Sequence, residues 1–287
     1  MAITGTPSPH QSRGIALTGS RGFIGKALAA RLATAGAPCI AFPGNLLSTA
    51  DLESFFEQHP VDQVVHLVGG FEGDFDRLLE TNVRPTQHLL EVGRRYGLRK
   101  VIYASTGAVY GEPLGDTSKE TDPLLPNTLY GLAKKLTEET LHFYTRQYGI
   151  DAVILRFPNV YGEGNAKGVL YHFLQAIRRD GALTIAGDGS QSRNFLHVTD
   201  ACIAIEKALA FEGSGIFNIS NPVKVSIRDL VDQLACHYSF GVNYREQDNF
   251  LKDLLLDTTK AEQVLGFRAV HSDTARFFEG SVATGSE

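Results

Sequence analysis

The chain has 287 residues, 43% of them hydrophobic and 21% charged, with 29 glycines. That composition suits an ordinary globular protein with a sizeable core, in one large domain or a large domain with an appendage. A net charge of −5 excludes the basic footprint that nucleic acid or an anionic membrane surface calls for, so a phosphate-bearing ligand has to be held by a few placed groups.

Residues 1–13, MAITGTPSPHQSR, are polar and read as a loose tail without the apolar run of a signal peptide. Gly14 to Thr18 reads as a buried strand, then a glycine-punctuated turn and a helix from Phe23 to Ala35. Pro38 to Phe42 is a second strand, Ala50 to Gln58 a helix, and Val61 to Val68 a third strand. Leu78 to Tyr96 reads as one helix, Lys100 to Ser105 as a strand, Tyr130 to Tyr148 as a long helix and Asp151 to Phe157 as a strand. Short, almost continuously apolar strands alternating with helices predict an α/β fold: a Rossmann-type doubly wound parallel sheet covered on both faces. Such sheets bind ligands beyond the carboxyl ends of their strands.

After residue 160 the rhythm changes. LTIAG, RNFLHVTD and GIFNIS read as strands among helices at Val169–Arg179, Thr199–Ala210 and Ile227–His237. The expected division is a dinucleotide-binding domain over 14–160 and a smaller, partly interleaved substrate-binding region over 161–287, with some segments returning to the first sheet. No segment is long and apolar enough for a membrane span. Cys39, Cys202 and Cys236 are far apart, with no CxxC pair, which fits a reducing compartment and a cytoplasmic protein. No His/Cys/Asp cluster has metal-ligand spacing, so no metal is expected.

Two motifs carry chemistry. In Thr18-Gly19-Ser20-Arg21-Gly22-Phe23-Ile24-Gly25, Gly19 allows a tight turn, Gly22 the close approach of a pyrophosphate and Gly25 close helix–strand packing. The helix start supplies N–H groups and partial positive charge. No carboxylate follows the second strand in Ala41-Phe42-Pro43-Gly44-Asn45-Leu46, where NAD enzymes place one for the ribose, and Arg21 could face a 2′-phosphate. These features favour NADP(H), with NAD(H) possible. In Tyr130-Gly131-Leu132-Ala133-Lys134, a tyrosine and a lysine share one face of a helix, where an ammonium favours the phenolate. Ser105-Thr106, at a strand end upstream, offers hydroxyls for a substrate oxygen.

From Ile15 to Phe267 the sequence resembles the extended short-chain dehydrogenases of the NAD-dependent epimerase/dehydratase family. The resemblance rests on TGSRGFIG, VVHLVGG, TNVRPTQHLLE, YASTGAVYGE, YGLAK, LRFPNVYGEG, GDGSQSRNFLHVTD, FNISNP and DTTKAEQVLGF. It implies an enzyme acting on a nucleotide sugar, with Thr106, Tyr130 and Lys134 as the catalytic triad. The implied cofactor contacts are Gly19, Arg21, Gly22, Phe23, Ile24, Gly25, Asn45, Leu46, Leu67, Val68, Gly69, Asn82, Ser105, Tyr130, Lys134, Phe157 and Val160. Thr106, Asn159, Arg193 and Arg245 would meet the substrate, the arginines at its diphosphate. By family analogy a homodimer would form through the helices at 78–96 and 130–148. His66 and His197 are expected to be structural.

Departures from the family pattern narrow the reaction. Gly107-Ala108 stands where dehydratases carry an Asp-Glu pair, which disfavours dehydration. The stretch 45–64, with Arg21, is similar to GDP-fucose synthase, yet the Cys and His of its 3,5-epimerisation are missing. The expected activity is 4-keto reduction, with a 4-epimerase holding NAD tightly as the alternative; an NADP-sensing regulatory protein, the alternative outside the enzymes, is disfavoured because Tyr130 and Lys134 are both present. Substrate-facing segments are expected at 71–76, 164–171 and 238–253.

Overall fold

The computed structural model describes residues 14–37, 39–165, 167–246 and 253–271. The expected tail, Pro38 of the second strand and the centre of the 238–253 stretch lie outside the described residues, as does Ala166 in the 164–171 segment.

The first half runs β1 (Gly14–Thr18), α1 (Phe23–Thr34), β2 (Ile40–Ala41), α2 (Thr49–Gln58) and β3 (Val61–His66). It continues with α3 (Phe75–Leu78), α4 (Arg84–Gly93), β4 (Lys100–Thr106), α5 (Leu129–Tyr148) and β5 (Asp151–Phe157). Then follow β6 (Asn159–Tyr161), α6 (Val169–Asp180), β7 (Ala182–Ala186), β8 (Ser192–Arg193), β9 (Phe195–His197), α7 (Val198–Ala210) and β10 (Gly215–Asn218). The described chain closes with β11 (Val225–Ser226), α8 (Ile227–Ala235), β12 (Gly241–Arg245) and α9 (Thr259–Gln263).

Six strands form one sheet in the order β2-β1-β3-β4-β5-β10, every pair parallel. Neighbouring residues along each strand point to opposite faces, which explains why the strands are apolar throughout. Ala16, Val64, Val101 and Ile154 pack with Leu52, Phe55 and Phe56 of α2, Leu89 and Leu90 of α4, and Leu141 of α5. Leu17, Val65, Ile102 and Val153 face the other way, onto Leu28 and Leu32 of α1 and Ala201, Ala204 and Ile205 of α7. A third core holds Leu170, Leu174, Leu183, Ile185, Leu230 and Leu234, from α6, β7 and α8. Chain order reverses at β1, whose neighbours β2 and β3 lead in opposite directions, so the crevice for a ligand opens beyond β1.

In the first half, up to β5, three elements differ from the expectation. The helix expected over 78–96 begins earlier and is interrupted: α3 passes into a π turn at Leu79–Val83 before α4, and a 3₁₀ turn at Arg94–Tyr96 follows. Pro85 lies at the start of α4 and has no N–H to bond one turn back, so the wider turn takes up the break. β2 has two residues, although the Phe42 N–H still reaches the Leu17 carbonyl at 2.9 Å. β3 stops at His66, because Leu67 and Val68 lie against Gly19 of the glycine turn.

Candidate active site

Gly19 adopts φ +75°, and a Cβ there would come 3.0 Å from the Leu67 carbonyl carbon, so glycine alone fits both the turn and the contact. A Cβ on Gly25 would overlap the Gly19 carbonyl oxygen; that bare position lets α1 press onto the loop. Gly22 caps α1, and no side chain accepts a bond at that cap, which leaves the helix start fit for an anionic group. Gly19, Arg21, Gly22, Phe23, Ile24 and Gly25 line one wall of a cleft of about 1120 Å³. Leu67, Gly69, Thr106, Tyr130, Asn159 and Val160 line it further along.

A second hollow of about 360 Å³ adjoins the loop, lined by Arg21, Asn45, Leu46, Val68 and Gly69. Asp51 is the acid that follows β2 in sequence. It accepts from the Asn45 N–H at 2.8 Å and the Ser48 hydroxyl at 2.9 Å, so it is occupied in shaping the loop. Those bonds hold its carboxyl below the usual range. Glu80, from the π turn, also lines the hollow. Reading along β2 missed it because it comes from a different element.

His66 bridges Thr18 and Thr86, with Nδ1 2.7 Å from one hydroxyl and Nε2 2.9 Å from the other. Burial, with the Lys134 charge behind it, pushes its pKa down to about 3. It is a neutral strut joining β1, β3 and α4.

The triad residues meet at the end of β4 and the start of α5. Thr128 caps α5 by accepting from the Gly131 N–H at 3.0 Å. A Cβ on Gly131 would overlap the Ala108 carbonyl oxygen, so this glycine brings the helix onto the strand end. Tyr130 and Thr106 line the cleft together, and the Tyr130 ring stands edge-on to Phe71 with centroids 6.5 Å apart. Lys134 Nζ donates to the Ala104 carbonyl at 2.6 Å and sits 4.2 Å from the Tyr103 ring centroid.

The electrostatics differ from the simple tyrosine–lysine picture. Burial raises the Tyr130 pKa to about 12, and the opposing influence is the nearby Thr106 hydroxyl. Burial also lowers the Lys134 pKa to about 7, against the pull of the Glu138 charge. With its ammonium turned to Ala104 and its charge opposed by burial, Lys134 does not hold Tyr130 below its ordinary value here.

Asn82 donates to the Gly70 and Leu78 carbonyls, each at 2.9 Å. Its buried Oδ1 has no partner and lies 2.8 Å from where a Gly69 Cβ would be. A buried acceptor left open beside a ligand cleft fits a site completed by a bound polar group or water. The Ser105 hydroxyl is engaged by the buried Glu138 carboxylate, while Phe157 is packed in the core beneath the cleft. Glu138 and its partner Arg156 went unnoticed in the sequence, where nothing marks them as a pair.

The expected substrate residues are spread out. Asn159, on β6, lines the cleft. Arg193, on β8, bridges to Leu254, a cleft-lining residue, and its Nη1 donates to the Ser192 carbonyl at 2.8 Å. Arg245 ends β12 and lines a separate hollow of about 540 Å³ with Gly187, Asp188, Arg228, Tyr244 and Glu246. Lys167 places Nζ 4.7 Å from the Phe71 ring centroid, at the mouth near Tyr130. His197 caps α7, accepting from the Thr199 N–H at 3.3 Å. Among the described residues no helix is long and apolar enough to cross a membrane, and no group of three His, Cys, Asp or Glu is placed to hold a metal.

A parallel Rossmann-type sheet with a glycine turn at its reversal point, and Thr106 and Tyr130 lining the same cleft with Lys134 buried one turn along α5, define the nucleotide-dependent short-chain dehydrogenase class. Residues 15–220 match the NAD dependent epimerase/dehydratase family, to which this chain belongs. A putative UDP-glucose 4-epimerase of Methanocaldococcus jannaschii is 35% identical over 64% of this chain and 63% of its own length, so the match spans under two thirds of that relative. The dTDP-4-dehydro-6-deoxyglucose reductase of Escherichia coli is 27% identical over 90% of this chain and 93% of that one. Among solved structures, the UDP-glucose 4-epimerase of Thermotoga maritima with UDP-glucose superposes with TM-score 0.85 at 27% identity, covering 94% of this chain and 99% of that one. The UDP-glucuronic acid 4-epimerase of Bacillus cereus, in complex with UDP-glucuronic acid and NAD, gives TM-score 0.83 at 27% identity, with 93% and 96% covered.

Proposed function

We propose that this protein is a nucleotide-sugar 4-epimerase that uses NAD. The observation that carries the reading is the make-up of the cleft wall. Tyr130 and Thr106 face the cleft together, and no Asp or Glu is among the described residues lining it. Dehydration and decarboxylation call on a carboxyl group beside the sugar; removal and return of a hydride call on a phenol to move one proton. The 4-epimerases among the relatives and structural neighbours, one of them with NAD, support inversion over the keto reduction that the sequence favours.

The glycine turn with the α1 N-terminus would hold the cofactor pyrophosphate. Asn45 and Leu46 would border its adenosine end, and Asn82, Lys134 and Val160 the nicotinamide end. NAD bound there supplies a reversible hydride acceptor. The chain's own groups handle the sugar oxygen: Thr106 holds the C4 hydroxyl, and Tyr130 removes its proton and later returns it. Lys134, when charged, favours the Tyr130 phenolate. Asn159 and Arg193 would orient the sugar and diphosphate. Glu80 lines the second hollow together with Arg21 and disfavours a 2′-phosphate there, so the NADP(H) preference expected from Arg21 finds no support.

Purified protein is denatured and its released cofactor identified, then fresh protein is given UDP-glucose and the sugar product analysed. Retained NAD with inversion at C4, and no net reduction, supports the epimerase. Stoichiometric consumption of added NADPH on a 4-keto sugar nucleotide, without inversion of UDP-glucose, overturns it. That second outcome is the reductase reading, favoured by the near full-length match to the Escherichia coli reductase.

A further inference from the structure

Beneath the cleft floor lies an ion pair that the reaction as described does not use. Glu138 and Arg156 side chains are 1% and 2% exposed, with Nη2 2.6 Å from Oε2 and Nε 3.1 Å from Oε1. The pair is forked and therefore fixed in orientation. Arg156 Nη1 donates to the Tyr110 hydroxyl at 2.7 Å, and that hydroxyl donates to Asn218 Oδ1 at 2.8 Å. Asn218 Nδ2 in turn donates to the Ser118 carbonyl at 2.9 Å. A buried pair of this kind is often no more stabilising than apolar residues of the same size. Its position suggests a different use.

Lys134 and Glu138 are four residues apart on α5, so they share a face. Both reach β4 at successive residues: Lys134 bonds the Ala104 carbonyl, and Glu138 accepts from the Ser105 hydroxyl. Arg156 stands directly opposite Ser105 in the β4–β5 register. The other groups around Lys134 carry no negative charge. Tyr130 on α5 and Tyr103 on β4 are phenols whose ionisation burial suppresses. His66 on β3 is neutral, and Asn82 and Ala104 offer dipoles.

Resting on the assignment of Lys134 to the reaction, we propose that Glu138 is a positioning residue whose carboxylate, fixed by Arg156 and Ser105, keeps the Lys134 ammonium charged under the cleft. With Glu138 in place burial already brings the Lys134 pKa down to about 7; without that charge it falls further, and Tyr130 is left without a cation to favour its phenolate at neutral pH. Arg156 has the complementary task of holding the Glu138 side chain in its fork. It remains charged because its bonds to Glu138, and the charge there, outweigh the burial that opposes it.

The test reads Lys134 directly in the full-length protein, freed of cofactor. Lysine ε-carbons are labelled, the Lys134 signal is assigned by its loss in Lys134→Arg, and its titration is followed by NMR. Glu138→Gln should lower the midpoint by at least about one pH unit, a tenfold loss of the charged form above the midpoint. Glu138→Gln strands a buried guanidinium, so the double variant Glu138→Gln/Arg156→Met is measured beside it and should shift the same way. In active protein, the alkaline limb of the pH profile for hydride transfer should move down with the NMR midpoint. A midpoint unmoved in the double variant, whatever its stability, overturns the proposal. Because the titration needs neither substrate nor turnover, it decides the role of Glu138 even if the sugar reaction proves to be a reduction.

Discussion

Tyr130 meets Thr106 in the cleft, and its hydroxyl is what distinguishes a proton-transfer residue from an apolar wall. Tyr130→Phe keeps the ring against Phe71 and removes the proton carrier. Hydride transfer should fall by about 10²–10⁴-fold, while calorimetric NAD affinity stays within a few-fold of the parent. Loss of both together would mark the residue as structural. His66 gives a prediction of another kind. Its folded pKa is about 3 against an ordinary 6.5, so between those values the unfolded chain binds a proton that the fold refuses. Stability is therefore lost as pH falls through that window, by up to about 1.4 kcal/mol per unit. His66→Asn should flatten the slope between pH 6 and 4 in urea unfolding by roughly that amount. Thr106, Tyr130 and Lys134 are legible in the sequence because their spacing is local to a strand end and a helix start. Glu138 and Arg156 are not, since their pairing exists only once α5 lies across β4 and β5. The open Oδ1 of Asn82 is likewise a property of packing.

At the scale of elements, the longer strands of the six-stranded sheet declare themselves because they are largely apolar on both faces, and the order of strands and helices up to β5 follows the sequence reading closely. Where reading failed, a local competitor won. Helical periodicity runs through 78–96, but Pro85 withholds an N–H and Asn82 bonds the Gly70 and Leu78 carbonyls, so a π turn replaces regular helix. Chain beyond residue 160 includes strands of two or three residues, such as β6, β8 and β11, too short to show a period. The glycine turn allows a sharp test. A methyl on Gly25 meets the Gly19 carbonyl oxygen and the Ser20 Cα, both backbone atoms that cannot rotate away. Gly25→Ala should push α1 off the loop, lower thermal stability and abolish cofactor retention. Gly36, whose Cβ would meet nothing within 4 Å but whose φ is +73°, is the control: Gly36→Ala should cost about 1 kcal/mol of stability and leave the cofactor in place.

The whole molecule is tied together by segments distant in sequence. β10 completes the sheet beside β5, and the Arg156–Tyr110–Asn218 chain runs from the floor of the cleft to that strand. At the far end, buried Asp200 accepts from the Val270 N–H at 3.2 Å, the His271 N–H at 3.0 Å and His271 Nδ1 at 2.9 Å. One carboxylate on α7 thus holds the last described residues. Asp200→Asn offers one acceptor where two stood and should cost about 1–3 kcal/mol. Hydrogen exchange at Val270 and His271 should then quicken while the amides of β4 and β5 keep their protection; uniform loss of protection would show that the clasp is part of the global fold.

The brevity of β2 reaches beyond the cofactor site. A parallel sheet exposes backbone N–H and C=O groups at both flanks, and a long flat flank can recruit a strand from another molecule. Here one flank is two residues long and the other, β10, is four. Neither offers the row of unpaired groups from which intermolecular cross-β stacking propagates. Among the described residues, the six-stranded sheet therefore has little to gain from joining a second copy of itself edge to edge in the native state.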